Sequence, residues 1–125
     1  MGHVSRREFL RRGLAVGAAC TLPAQSLLAA SANEAINVGF ISCGGRAGGL
    51  MGSFDKIDGV NITGLCDPDE ERIASVKKRF PEAKTWTDMR GLLDDKTIDV
   101  VVVATCNHWH CLAAIWAMEA GKDVY

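Results

Sequence analysis

Several things are missing from this 125-residue chain, and each absence closes off a function. None of the five cysteines (Cys20, Cys43, Cys66, Cys106 and Cys111) forms a C-x-x-C pair, which argues against a zinc site. No apolar run is long enough to cross a bilayer, so no stable membrane anchor is expected. There is no basic excess to hold nucleic acid: beyond residue 32 the chain keeps 10 of its 14 basic residues and 14 of its 15 acidic ones, a net charge near −4. Internal repeats, low-complexity tracts and linkers are also lacking. What remains is the pattern of one α/β unit.

The first 32 residues read as an address. Ser5-Arg6-Arg7-Glu8-Phe9-Leu10-Arg11 resembles a twin-arginine export motif, and Gly13 to Leu22 follows as a weakly apolar segment. Ala30-Ser31-Ala32 offers an A-x-A cleavage site before Asn33, with Leu28-Ala29-Ala30 as a second choice. Acylation at Cys20 is the poorer alternative, because Gly17 stands where an aliphatic residue is wanted. These features predict passage through the twin-arginine machinery to the periplasm or the exterior, with residues 33–125 as the folded part.

Strands are expected at Ile36–Ser42, Val60–Cys66, Ala83–Trp86 and Ile98–Thr105, the last apolar on both faces as in the interior of a parallel sheet. Helices are expected over 48–56, from Asp67 through Arg79, over 87–94 and over 110–120. In the second of these, Asp67 caps, Pro68 takes the first helical position, and Lys77-Lys78-Arg79 close the last turn. Lys122-Asp123-Val124-Tyr125 reads as the start of another strand. The fold class is therefore α/β, a Rossmann-type doubly wound parallel sheet, incomplete at its C-terminal end. Cys43, Cys66 and Cys106, at strand ends, read as free, semi-buried thiols.

"VGFISCGGRAGGLM", Val38 to Met51, runs a strand into a glycine-rich turn at a helix start. Such a turn lets a pyrophosphate approach bare backbone and meet helix N–H groups. The G-x-G-x-x-G positions fall on Ser42, Gly44 and Ala47, so only the central glycine is kept; serine adds a Cβ at the tight turn, while alanine is an accepted variant. A loop that merely turns the chain is the competing reading. Asp67, 25 positions beyond Ser42, is spaced to receive the adenosine ribose hydroxyls and would favour NAD over NADP, or else serves only as a helix cap. Gly45 and Arg46 complete the candidate cofactor turn, Arg46 as a phosphate contact or as the residue that could admit NADP.

"VVVVATCNHWHCLAAIWAMEAGKDVY", together with the glycine loop and Asp67, resembles the N-terminal domain of the Gfo/Idh/MocA oxidoreductases, named for glucose–fructose oxidoreductase and inositol dehydrogenase, over Ile36 to Tyr125. Cys106 stands where that family usually has proline. The resemblance implies an NAD(P)-dependent enzyme that transfers hydride to or from a sugar, polyol or derivative. It implies that Thr105, Asn107 and His108 border the nicotinamide ribose and ring, that a catalytic lysine follows beyond Tyr125, and that a second domain brings substrate and homo-oligomer contacts. On that basis the 125 residues alone are expected to be inactive, and the strand Ile98–Thr105 is expected to lie open to pairing with other chains.

His108 is the one candidate catalytic residue within the chain, with satisfaction by backbone as its competing reading. His110 reads as an orienting or packing residue; an H-x-H metal pair with His108 lacks a third ligand, and no metal is expected. Trp109 and Trp116 read as packing residues. Two other functions stay open: an NAD-dependent glycosidase of the same family, although Asn107-His108-Trp109-His110 lacks the glutamate usual in that loop, and a non-catalytic remnant.

Overall fold

The computed structural model describes residues 35–125. The expectations for the leader, its cleavage site and Cys20 lie outside that range. Within it, strands and helices alternate as β1 (Ile36–Ile41), α1 (Gly45–Phe54), β2 (Val60–Cys66), α2 (Glu70–Lys77), β3 (Lys84–Trp86), α3 (Met89–Asp94), β4 (Val100–Val103), α4 (Asn107–Glu119) and β5 (Asp123–Val124). All pairings are parallel, in the order β3-β2-β1-β4-β5. This is the doubly wound sheet of a Rossmann fold, with the chain moving outward in both directions from β1.

Strand alternation decides which face each side chain covers. Val38, Phe40, Leu65 and Val102 point to one side and meet Met51 of α1 and Ile73 of α2. Ile41, Cys66, Val101 and Val103 point to the other, against Leu92 and Leu93 of α3 and Ala113 and Ala117 of α4. Phe40, Leu65, Leu92, Val101 and Val102 are fully buried; each such side chain contributes about 2 kcal/mol by leaving water. Burial on both faces explains why β4 is four consecutive valines.

Several expectations are corrected. α1 begins at Gly45, three residues earlier than glycine-rich sequence suggested, with Gly44 at its N-cap and no side-chain cap. The cap of α2 is Asp69, not Asp67: its carboxylate accepts from the N–H groups of Glu71 (3.0 Å) and Arg72 (3.4 Å), which leaves Pro68 outside the helix. α4 begins at Asn107 and so takes in His108 and Trp109. The outer edge of β4 is covered: Asp123 and Tyr125 donate main-chain N–H groups to the Asp99 and Val101 carbonyls, and Val103 donates to the Tyr125 carbonyl. Cys106 also departs from expectation, since it is exposed, as is Cys111; Cys43 and Cys66 are buried, and all four thiols are free.

Ser42 carries a φ of +89°, the left-handed region that favours glycine. The tight turn thus retains its glycine geometry under a serine side chain. Its hydroxyl recovers little, with contacts of 3.4 Å to Asp67 Oδ2 and to the Gly44 N–H. Ser42→Gly is expected to stabilise the domain by about 1 kcal/mol. Urea unfolding checks it; a lower midpoint in the glycine variant would mean that the hydroxyl contacts outweigh the backbone strain.

Candidate functional site

At the carboxyl ends of the strands, the turn after β1, the end of β2 and the turn after β4 come together. A cavity of about 550 Å³ is lined there by Ser42, Asp67, Arg72, Thr105, His108 and Trp109, among others. A second hollow of about 620 Å³ lies beside it and takes Arg46, Asn107 and His110, with Thr105 shared between the two. The candidate residues read from sequence therefore divide: Ser42, Asp67, Thr105 and His108 face one cavity, and Arg46 and Asn107 the other. Gly44, Gly45 and Ala47 shape the turn between β1 and α1.

That turn fits a pyrophosphate. A Cβ placed on Gly45, Gly48 or Gly49 would meet nothing within 4 Å, so the backbone borders open space. The N–H groups of Gly45 and Arg46 belong to the first turn of α1, where no acceptor within the helix is available. Gly45 adopts a φ of +40°, and Ala47 is fully buried where the third motif residue packs helix onto sheet.

Asp67 is 2% exposed, and its carboxylate ties the site together. Oδ2 accepts from the Cys43 N–H at 2.8 Å, and Oδ1 accepts from the Asp69 N–H at 2.9 Å. One side chain thus joins the glycine turn to the entry of α2. Four acceptor positions on the carboxylate leave room for one further donor after Ser42 Oγ is counted. Burial and the nearby Asp67 charge push the Cys43 thiol up to about 11, and burial, with Cys43 and Asp67 adding charge, pushes Cys66 up to about 12. Both thiols stay protonated at neutral pH and are poor nucleophiles.

At the turn after β4, His108 sits exposed in the first turn of α4, its ring tilted against Trp109 with centroids 6.2 Å apart. His110 has an orienting role: its Nε2 lies 2.8 Å from the Thr105 carbonyl and fixes the turn after β4. Among the described residues no cluster of three or more metal-ligating side chains occurs.

Sequence reasoning passed over Arg72 and the segment Thr87 to Arg90, which also form part of the cavity wall. Within that wall the Arg90 guanidinium grips Asp88 and holds its carboxyl down to about 2. Asp88 also caps α3 through the Arg90 N–H at 2.9 Å. The D-x-R spacing was the available signal, but short acidic-basic pairs are common on surfaces.

The profile of the oxidoreductase family with the NAD-binding Rossmann fold, GFO_IDH_MocA, matches residues 36–125. Glycosyl hydrolase family 109 protein 1 of Bacteroides fragilis is 37% identical over 100 residues, covering 73% of this chain and 22% of that protein. The alpha-N-acetylgalactosaminidase of Shewanella oneidensis is 33% identical over 101 residues, covering 74% and 22%. The crystal structure of GenD2 from gentamicin A biosynthesis, in complex with NAD, superposes with a TM-score of 0.69 at 27% identity, covering 73% of this chain and 26% of that one. The chain thus spans about a quarter of the length of these proteins. It belongs to the Gfo/Idh/MocA oxidoreductase family, and residues 36–125 are its NAD-binding Rossmann domain.

Proposed function

We propose that this domain holds NAD for an exported oxidoreductase that moves hydride to or from a sugar, polyol or related compound. The observation that carries the reading is the convergence of the bare turn at Gly44 and Gly45, the buried Asp67 carboxylate and the Thr105–His108 turn on one edge of the sheet. NAD, when bound, supplies the hydride acceptor or donor. The first-turn N–H groups of α1 bind phosphate oxygens, and Asp67 uses its remaining acceptor position on a ribose hydroxyl. Thr105 and His108 border the reacting end, with His108 the one imidazole in this cavity able to hold or pass a proton. Arg6-Arg7 and the apolar segment after them support export.

A second reading is favoured by the relatives named glycosyl hydrolase family 109 and alpha-N-acetylgalactosaminidase. In that reading NAD, when bound, would take a hydride from the sugar and give it back after the aglycone has left and water has added, so that no NADH accumulates. The two readings separate in one assay of the protein with NAD. Net NADH formation on a panel of sugars and polyols supports the first; release of nitrophenol from a nitrophenyl N-acetylgalactosaminide without NADH accumulation replaces it with the second. Export is checked by fractionating cells that carry a tagged chain; retention in the cytoplasm would remove that part.

Cofactor preference gives a sharper test. Asp67→Ser is expected to shift the NAD to NADP affinity ratio by at least about tenfold, or about 1.4 kcal/mol, because the carboxylate no longer repels a 2′-phosphate. The same change removes the acceptor for the Cys43 and Asp69 N–H groups, so stability should fall by about 2 kcal/mol. A stability loss with an unchanged affinity ratio would leave Asp67 as a structural tie alone.

A further inference from the structure

Arg72 stands in the third position of α2, outside every residue pattern that marks a dinucleotide site, yet its guanidinium lies against the glycine turn. A Cβ built on Gly44 would come within 3.0 Å of Arg72 Nη1 and 3.5 Å of its Cζ. The side chain spans from one crossover helix to the N-terminus of another. Its Nε pairs with Asp69 Oδ2 at 3.1 Å, across an ion pair in which both side chains are about half exposed (57% and 44%). Such a pair holds an orientation at little energetic cost and yields readily to a stronger anion. With Nε directed to Asp69, the terminal amino groups face the turn and the cavity that Arg72 lines.

We infer that Arg72 is a second anchor for the dinucleotide pyrophosphate, a cation beside the α1 N–H groups that exchanges its Asp69 partner for phosphate oxygens. The inference rests on the NAD-binding reading of the same turn. Three features select the pyrophosphate. Arg72 meets Gly44, the closest-approach position of the motif, and so lies beside the first-turn N–H groups that already favour an anion. A planar guanidinium offers paired N–H donors matched to two phosphate oxygens. A 2′-phosphate is a poorer occupant, because the buried Asp67 carboxylate lines the same cavity and would repel it where a ribose hydroxyl is to be accepted.

The arrangement also assigns Asp69 two tasks. Its Oδ1 caps α2 and its Oδ2 carries the Arg72 ion pair. Asp69→Asn retains an acceptor for the cap while removing the charge that competes with phosphate for the guanidinium.

Calorimetric titration of the whole protein with NADH, NADPH, ADP-ribose and adenosine tests this. Arg72→Met is expected to weaken NADH and ADP-ribose about tenfold or more while leaving adenosine affinity and the unfolding temperature unchanged. Arg72→Lys should recover part of the loss, and Asp69→Asn should bind ADP-ribose as tightly as wild type or more so. Equal weakening of adenosine would mean that Arg72 stacks on the base, and a loss confined to NADPH would mean that it reads the 2′-phosphate; either result overturns the inference. Wild-type affinity in Arg72→Met overturns it while sparing the NAD-binding reading. Failure of the wild type to bind NADH or ADP-ribose sinks both.

Discussion

Gly44→Val is expected to lower NADH affinity by at least about a hundredfold, or about 2.7 kcal/mol, with the fold intact. Gly44 has φ −97° and ψ 173°, an extended conformation open to any residue, so valine brings no backbone strain. The nearest obstacle to a side chain is the tip of Arg72, which is exposed enough to move aside. What valine does obstruct is the cofactor-facing surface of the turn, where its two methyl groups would stand between the α1 N–H groups and the phosphate oxygens. Calorimetry and thermal unfolding on the same sample separate the two effects. Unchanged NADH affinity in a folded Gly44→Val protein would remove the turn from the cofactor site.

Lys122→Met should cost about 3 kcal/mol of stability without altering the affinity of the folded protein for NADH. Lys122 is 7% exposed, and its ammonium is directed at main chain: Nζ donates to the Asp95 carbonyl at 2.6 Å and to the Ile98 carbonyl at 2.8 Å. Those carbonyls belong to the connection between α3 and β4. Methionine fills a similar volume but strips both carbonyls of a charged donor in a place water reaches poorly, and an orphaned buried acceptor is costly. A urea midpoint close to wild type would show that solvent replaces the ammonium. The expectation for ligand affinity follows from position: Lys122 precedes β5 and its two acceptors precede β4, at the ends of these parallel strands opposite the turn that follows β1.

Much of the sheet was legible because its evidence is local. The run from Val100 to Val103 and the alternation before Cys66 need no knowledge of the remainder of the chain. Boundaries failed where two residues competed for one role. Asp67 and Asp69 are both plausible caps beside Pro68, and the choice is made by a hydrogen bond from Cys43, 24 positions away. α1 was placed late because Gly45, Gly48 and Gly49 carry no apolar periodicity; in its first turn only Ala47 is buried, and Met51, with Leu50 and Phe54 partly buried, holds the inner face further on.

The candidate site divided along the same line. Ser42, Asp67, Thr105 and His108 are recognisable by position along strand ends, and one cavity collects them. Arg72 and Lys122 were passed over because their chemistry exists only after folding. A helical arginine beside two acids reads as a solvated surface, and a lysine after a helix-closing glycine reads only as the start of a strand. Only the packed chain brings one to Gly44 and buries the other beneath a loop.

The central place of β1 bears on the order in which this domain assembles. Its partners on one side arrive early: Ile36 meets Val60 after a short crossover, and β3 follows β2 by another. Its partner on the other side arrives late, since Val38 must find Val100, and the contact from the Asn37 N–H to Asp99 Oδ2 bridges 62 positions. Closing that longer loop carries a greater entropic cost, and contacts of wide sequence separation slow folding. The β1-β2-β3 half is therefore the natural nucleus, with Gly44 and Asp67 already within it, while the Thr105–His108 turn is completed only when β4 docks. Phosphate recognition matures before the reacting end does, so a nascent domain can meet its cofactor by the pyrophosphate first.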